Sequence, residues 1–335
     1  MTRLRFTQVD AFADAPFTGN PAAVMPLDAW LDDAVLQAIA AENNLSETAF
    51  TVPTPDDAEA DYVLRWFTPE VEVKLCGHAT LASGHVLMQG DTIRFRTRHA
   101  GVLTVTRAGE GYELSLPAWT SAPKALPELA AGMGGDIVET RWREGGYAIF
   151  VYRDADAIRA LEPDFATLRK LGDNLLMATA PGDDSDIISR VFVPGGGIDE
   201  DPVTGSAHGL LTPYWAERLG KDAISAYQAS ARGGRLGCRL EGDRVVMTGA
   251  CRTVIEGLFT LEPGKRPISR ASCAFTAARC SFLGDMPIRT IVSRWPGATN
   301  IYWPLWPTQP NRLAEARPGI SALSLLSRLS QRWAP

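Results

Sequence analysis

Short runs of alternating or continuous apolar residues dominate the chain, and helical spacing is confined to a few stretches. Residues 3–12 (RLRFTQVDAF) alternate in part and predict a strand. A turn at 18–24 (TGNPAAV) leads into a short apolar run. Leu31, Val35, Leu36, Ile39 and Ala40 recur at helical spacing, which predicts a helix over 31–44. Two β-prone runs follow, LSETAFTVP at 45–53 and YVLRWFTP at 62–69. The segment CGHATLASGHVLMQG at 76–90 is apolar, rich in small residues and bounded by glycine, so it predicts a buried helix from about His78 to Gln89. Residues 92–117 read as short strands joined by glycine turns.

After a linker rich in Ala, Pro and Gly at 120–135, the order recurs. Strands are expected at 146–153, 174–179 and 188–194, with a helix at 163–172. A glycine-rich loop at 194–209 (PGGGIDEDPVTGSAHG) feeds a second small-residue helix, SAHGLLTPYWAERLG. Four more strands close the region: AISAYQAS, GRLGCRLEG, DRVVMTG and TVIEGLFTL. Each half therefore runs strands, glycine turn, small-residue helix, strands. No sequence identity links the halves, but the order of elements predicts two similar α+β domains with a cleft between them, at 1–118 and 119–264.

Length and composition narrow the class. At 335 residues, 45% hydrophobic and 21% charged, the chain is an ordinary globular protein of one large or two ordinary domains. It has no apolar run long enough for a spanning helix and no apolar signal-type segment at its start, which predicts a cytoplasmic protein with no membrane partner. Five cysteines without regular spacing argue against a disulfide framework. The net charge of −6 is uneven: residues 1–265 carry 24 basic and 37 acidic residues, whereas 266–335 carry nine Arg, one Asp and one Glu. An acidic main body excludes nucleic acid as a partner. The last stretch, 265–335, is an atypical tail holding four of nine Trp, Arg without Lys, and scattered Pro, and poor order is expected there. It reads either as out-of-frame or vector-derived text, or as a basic amphipathic arm with helical spacing at 320–333.

The chemistry-bearing candidates cluster around the two small-residue helices. Their first turns, Gly77-His78-Ala79-Thr80 and Gly205-Ser206-Ala207, present free N–H groups and a positive dipole end, so they are either anion sites or simply close-packed helix ends. Glu47 lies in an apolar, β-prone run; burial there would favour its protonated form and suit proton transfer near neutral pH, and the alternative is an exposed strand glutamate. His78 can act as a general acid, a hydrogen-bond donor or a helix cap. Asp201 precedes Pro202 and so is not helical; it projects into the cleft or caps the next turn. His85, His99 and His208 read as structural. No GxGxxG follows a strand, and GxxxxGK[ST], GxSxG, HxxxH and CxxC do not occur. Nucleotide cofactors, a metal and nucleophilic hydrolysis thus lack support, and cofactor-free proton transfer remains.

Six motifs in order, over residues 4–261, resemble the phenazine-biosynthesis PhzF-like isomerase family. They are Gly19-Asn20-Pro21-Ala22-Ala23-Val24, Asn44-Leu45-Ser46-Glu47-Thr48-Ala49-Phe50, Arg65-Trp66-Phe67-Thr68-Pro69, and Leu75-Cys76-Gly77-His78-Ala79-Thr80. The last two are Glu200-Asp201-Pro202-Val203-Thr204-Gly205-Ser206-Ala207 and Gln228-Ala229-Ser230-Ala231-Arg232-Gly233-Gly234. The resemblance implies the α+β diaminopimelate-epimerase-like fold, in which each domain wraps a sheet around a central helix and the active site lies in the cleft. It implies Glu47 as general acid/base, His78 and Asp201 as catalytic partners, and Gly77, Gly205 and Ser206 as substrate contacts. It further implies no cofactor, a small carboxylate substrate and a homodimer. The best-known member shifts a proton in trans-2,3-dihydro-3-hydroxyanthranilate. The racemase branch of the superfamily instead uses two cysteines; Cys76 stands at the first position, but Val203 occupies the second. Glu47 and Asp201 could still supply the bases of an amino-acid epimerase, which is one alternative to the isomerase, and a catalytically silent ligand-binding relative is the other; in the isomerase reading Cys76 is a small buried packing residue. Trimming the chain after residue 264 should therefore leave a stable core of unchanged activity, and limited proteolysis followed by thermal unfolding checks this; loss of folding on trimming would show that the tail belongs to the fold.

Overall fold

The computed structural model describes residues 1–262; the expectations for the tail, its boundary at 262–266 and the helix at 320–333 lie outside the described residues. Eighteen strands among the described residues form one hydrogen-bonded network. Its pairing pattern occurs twice. In the first half, Thr2–Ala11 pairs antiparallel with Asn20–Pro26, which runs parallel to Glu47–Pro53. That strand pairs antiparallel with Tyr62–Phe67, which runs parallel to Thr92–Thr97. The second half repeats each step. Glu139–Arg143 pairs antiparallel with Tyr147–Val151, which runs parallel to Leu175–Pro181. That strand pairs antiparallel with Ile187–Val193, which runs parallel to Ala223–Gln228. Each half ends in an antiparallel meander.

Two exchanges tie the halves together. Strand Cys251–Leu261 returns to pair with the first strand, and strand Arg244–Gly249 pairs with Gly111–Pro117. Each half holds one buried helix, Gly77–Leu87 or Gly205–Leu219. Both helices are apolar on nearly all sides, as a helix enclosed by sheet must be. Ala79, Leu81 and Ala82 pack into the same core cluster as Ala207, Leu210 and Leu211. Small residues are a steric requirement here: a Cβ on Gly84 would come within 2.6 Å of Val105.

The short apolar and alternating runs fold as their periodicity implies. The differences lie where pattern is weak. The linker at 120–135 contains a two-residue strand and the helix Pro127–Met133. Pro127 pre-sets the first helical turn, and Met133 enters a core cluster with Tyr152, Leu161 and Leu168. The charged strand Glu139–Arg143 gives no apolar alternation, because all five of its residues are half-buried. The helix expected at 163–172 is four residues, Phe165–Leu168, continued by a 3-10 turn. The glycine-rich loop at 194–209 contains the strand Ile198–Asp201. No helix among the described residues is long and apolar enough to cross a membrane.

His208 is structural, as expected. It is fully buried, its Nδ1 lies 2.9 Å from the Thr204 carbonyl, and its Nε2 has no partner. Burial pushes its pKa down to about 4, because a second ring N–H has nothing to bond. The folded ring therefore stays neutral while the unfolded ring takes up a proton as pH falls through 6.5. Stability should drop from pH 6.5 toward pH 4, by about 2 kcal/mol between pH 6.5 and 5 on this account alone. Urea unfolding at pH 7 and pH 5 measures it: His208→Asn should lose less stability on acidification than the native protein, and equal losses would exclude this ring as the cause.

Candidate active site

The two buried helices meet at their N-termini. An ideal Cβ on Gly77 would lie 3.4 Å from the Cα of Gly205, and one on Gly205 would lie 3.4 Å from the Cα of Gly77. Neither preceding residue, Cys76 or Thr204, caps its helix with a side-chain hydrogen bond. First-turn N–H groups of both helices thus remain available to a ligand, and both dipoles add positive potential at one place.

A cavity of about 310 Å³ opens at this junction. Glu47, His78, Asp201, Gly77, Gly205 and Ser206 all line it. Glu47 is the first residue of its strand, entered from Asn44, whose left-handed conformation (φ 49°) ends the preceding helix. Asp201 ends the strand Ile198–Asp201, where Pro202 stops further pairing. Both halves add apolar lining, Val71, Val73 and Leu75 from the first and Leu175, Val193 and Ile198 from the second. Neither lysine nor arginine is among the lining residues, so a bound anion would rest on backbone N–H groups and His78.

Buried arginine forks hold the strands that shape the cavity. Arg65, on Tyr62–Phe67, bonds both oxygens of Glu72 at 2.8 Å and Asp33 at 2.8 Å. Arg190 makes the equivalent fork to Glu200 at 2.8 and 2.9 Å in the second half. Each fork fixes the short strand that leads into a central helix.

The polar network crosses between halves through Asn20. Its Nδ2 donates to Asp201 Oδ1 at 2.7 Å and to the Val203 carbonyl at 2.9 Å, and lies 3.2 Å from His78 Nδ1. His78 Nε2 is 3.0 Å from Glu47 Oε2, and Cys76 Sγ is 3.5 Å from His78 Nδ1. Thr204 donates its hydroxyl to Asp201 Oδ2. The Gln228-to-Gly234 motif, which carried no assigned role, braces both sides. Gln228 donates to the Asp201 carbonyl and accepts from Thr204 N; Ser230 donates to the Pro202 carbonyl. Arg232 donates to Gly19 O at 2.8 Å and pairs with buried Asp10 at 2.8 Å, which fixes the turn bearing Asn20.

These contacts set the electrostatics. Removal from water raises Asp201 to about 6; Glu47 pushes it further up, while His78, Thr204 and Asn20 pull it down. Burial disfavours a charged His78, but Cys76 and Glu47 outweigh it and hold the ring pKa well above its ordinary value. Burial pushes the Cys76 thiol up to about 11. Tyr147 lies on the cavity wall, and burial raises its phenol. Sequence reasoning missed Asn20, Thr204 and Tyr147 as site residues. It also placed Cys76 in simple packing, whereas its sulfur faces His78 inside the cavity wall. Val203 is fully buried in the core and does not line the cavity.

The phenazine biosynthesis-like family profile matches residues 9–257, most of the chain. The chain belongs to the PhzC-PhzF family. An uncharacterised isomerase of Pseudomonas aeruginosa is 50% identical over 264 residues, covering 77% of this chain and 99% of the relative. A human phenazine biosynthesis-like domain-containing protein is 38% identical over 280 residues, covering 75% of this chain and 97% of the relative. A solved PhzF-family protein of Enterococcus faecalis is 43% identical with a TM-score of 0.72, covering 78% of this chain and all of its own. The fold is accordingly the α+β, diaminopimelate-epimerase-like fold of PhzF proteins; a predicted epimerase of Pseudomonas aeruginosa shares it at 23% identity and a TM-score of 0.59.

In this PhzF-family site Asn20 is the most connected donor, and two substitutions test it. Asn20→Ala leaves a buried carboxylate short of a donor and should cost about 1–3 kcal/mol in urea unfolding. Asn20→Asp should cost more at pH 8 than at pH 5, because two ionised carboxylates then face each other. Equal costs at both pH values would show that the amide does not contact an ionised Asp201.

Proposed function

We propose that this PhzF-family protein is a cofactor-independent isomerase that moves a proton between carbon atoms of a small cyclic or amino carboxylate, as in trans-2,3-dihydro-3-hydroxyanthranilate isomerisation. One observation carries the reading: the Glu47–His78 pair, 3.0 Å apart, lines a small cavity at two uncapped helix N-termini. Relatives at 43–50% identity bear the name isomerase, which supports the same reaction kind.

The substrate carboxylate would sit against the N–H groups at Gly77 and Gly205, with Ser206 beside it. That placement favours charge that develops toward the carboxylate as a C–H bond breaks. Glu47 takes the proton from C3 and returns one at C1. His78, held protonated by its neighbours, stands 3.0 Å from the Glu47 carboxyl and orients it for abstraction. The product enol then tautomerises to a ketone. Asp201, raised to about 6 and anchored by Asn20, holds the opposite side of the cavity and can exchange a proton with the ring substituents. A two-thiol epimerase mechanism is disfavoured because Val203 carries no thiol and Cys76 is the one cysteine in the cavity lining.

Proton NMR in D2O with trans-2,3-dihydro-3-hydroxyanthranilate tests the proposal, comparing the native protein with Glu47→Gln. The native protein should move the proton and incorporate deuterium, and the variant should be slower by at least about 100-fold, the usual weight of a general base. Equal rates would remove Glu47 as the base. Binding without exchange by the native protein would identify a ligand-binding relative for this compound and send the test to other small carboxylates.

A further inference from the structure

We infer that Glu47, Cys76 and His78 form a binding site for a borderline divalent metal ion, Zn²⁺ above all, that blocks the acid–base pair. Their donor atoms, one carboxylate oxygen, one sulfur and one ring nitrogen, lie within 4.8 Å of one another. His78 Nε2 is 3.0 Å from Glu47 Oε2 and 4.0 Å from Cys76 Sγ. Donors that share a tetrahedral zinc ion stand about 3.3–3.6 Å apart, as follows from Zn–N, Zn–O and Zn–S bonds of about 2.0–2.3 Å. The cluster therefore needs small side-chain shifts rather than backbone movement.

A second observation points the same way. Glu47 Oε2 is buried and makes no hydrogen bond, although the imidazole nitrogen is only 3.0 Å away. The oxygen and the ring nitrogen thus stand as two donor atoms 3.0 Å apart at the cavity. An ion there would satisfy the oxygen. Mixed thiolate, imidazole and carboxylate donors suit zinc and its neighbours rather than calcium or magnesium, which take oxygen ligands. All three residues line the cavity, which supplies an entry path and leaves a fourth coordination position facing the ligand space.

Binding is a simple exchange. The Cys76 S–H and His78 Nε2–H bonds break, S–Zn and N–Zn bonds form, and two protons leave to the buffer with no redox change. The ion takes up the Glu47 oxygen and the His78 nitrogen, so inhibition, though not binding, rests on the isomerase reading above.

Titration of the chelator-treated full-length protein with Co²⁺ tests the site by its spectrum. A near-ultraviolet thiolate-to-cobalt band and tetrahedral visible bands should appear and be displaced by Zn²⁺. Cys76→Ser should abolish the near-ultraviolet band and weaken Zn²⁺ binding at least tenfold in competition with a chromophoric chelator. His78→Gln should also weaken it, and provides the test should Cys76→Ser not fold. Replacing both Cys273 and Cys280 with Ser should leave the band in place. No band, or a band that survives Cys76→Ser, overturns the proposal. A band in a protein without proton exchange upholds the metal site and counts against the isomerase reading alone.

Discussion

Two buried helices point their N-termini at each other across a pair of glycines, and most of the polar architecture follows from that contact. Gly77 and Gly205 approach so closely that side chains would fill the gap between them. Each helix end carries roughly half a positive charge and free N–H groups. Bringing two such ends together in a buried place is unfavourable unless negative charge is near. Glu47 and Asp201 place carboxyl groups there, one from each half of the chain, and both line the cavity. No lysine or arginine is in that lining, so its positive potential comes from the helix ends and His78.

The arginines work one layer back. Arg65 and Arg190 each fork onto a glutamate of the short strand that precedes a central helix. The positions correspond in the repeated pairing pattern, so the two halves solve the same problem the same way. A bidentate arginine–carboxylate pair with little exposure has a defined geometry. It fixes where the strand ends, and hence where the helix N–H groups point. Arg65 is 3% exposed and reaches Asp33 as well, and Arg98 joins the same cluster at Glu72. Arg232 does a related job from a distance: paired with Asp10, it locks the turn that carries Asn20.

Much of the site was legible along the chain. The small-residue segments at 76–90 and 205–219 signalled buried helices, because glycine, alanine and serine let enclosing strands approach a helix closely. Glu47, His78, Asp201, Gly77, Gly205 and Ser206 stood in motifs whose residue types suit proton transfer and anion binding, and they line one cavity. Asn20, Tyr147 and Cys76 were harder to read. Asn20 sits 181 positions from Asp201, and an asparagine in a glycine turn reads as turn chemistry. Tyr147 lies in an ordinary apolar strand, and nothing local distinguishes it. The metal-ligating potential of Cys76 depends on Glu47, which is 29 residues away and outside any ligand spacing.

The sequence by itself determined the α+β class, the two central helices, the family and the kind of chemistry. These depend on local periodicity, on small residues and on motif residues whose types can be read in place. Only the tertiary structure decided how the halves join, through the return of Cys251–Leu261 to the first strand and the pairing of Arg244–Gly249 with Gly111–Pro117. It alone made the charged segment Glu139–Arg143 a strand and part of the linker a helix, because packing and long-range pairing overrode weak local pattern. It also set the proton affinities of Asp201 and His78. Those depend on burial and on neighbours brought from distant parts of the chain, which no window of sequence contains.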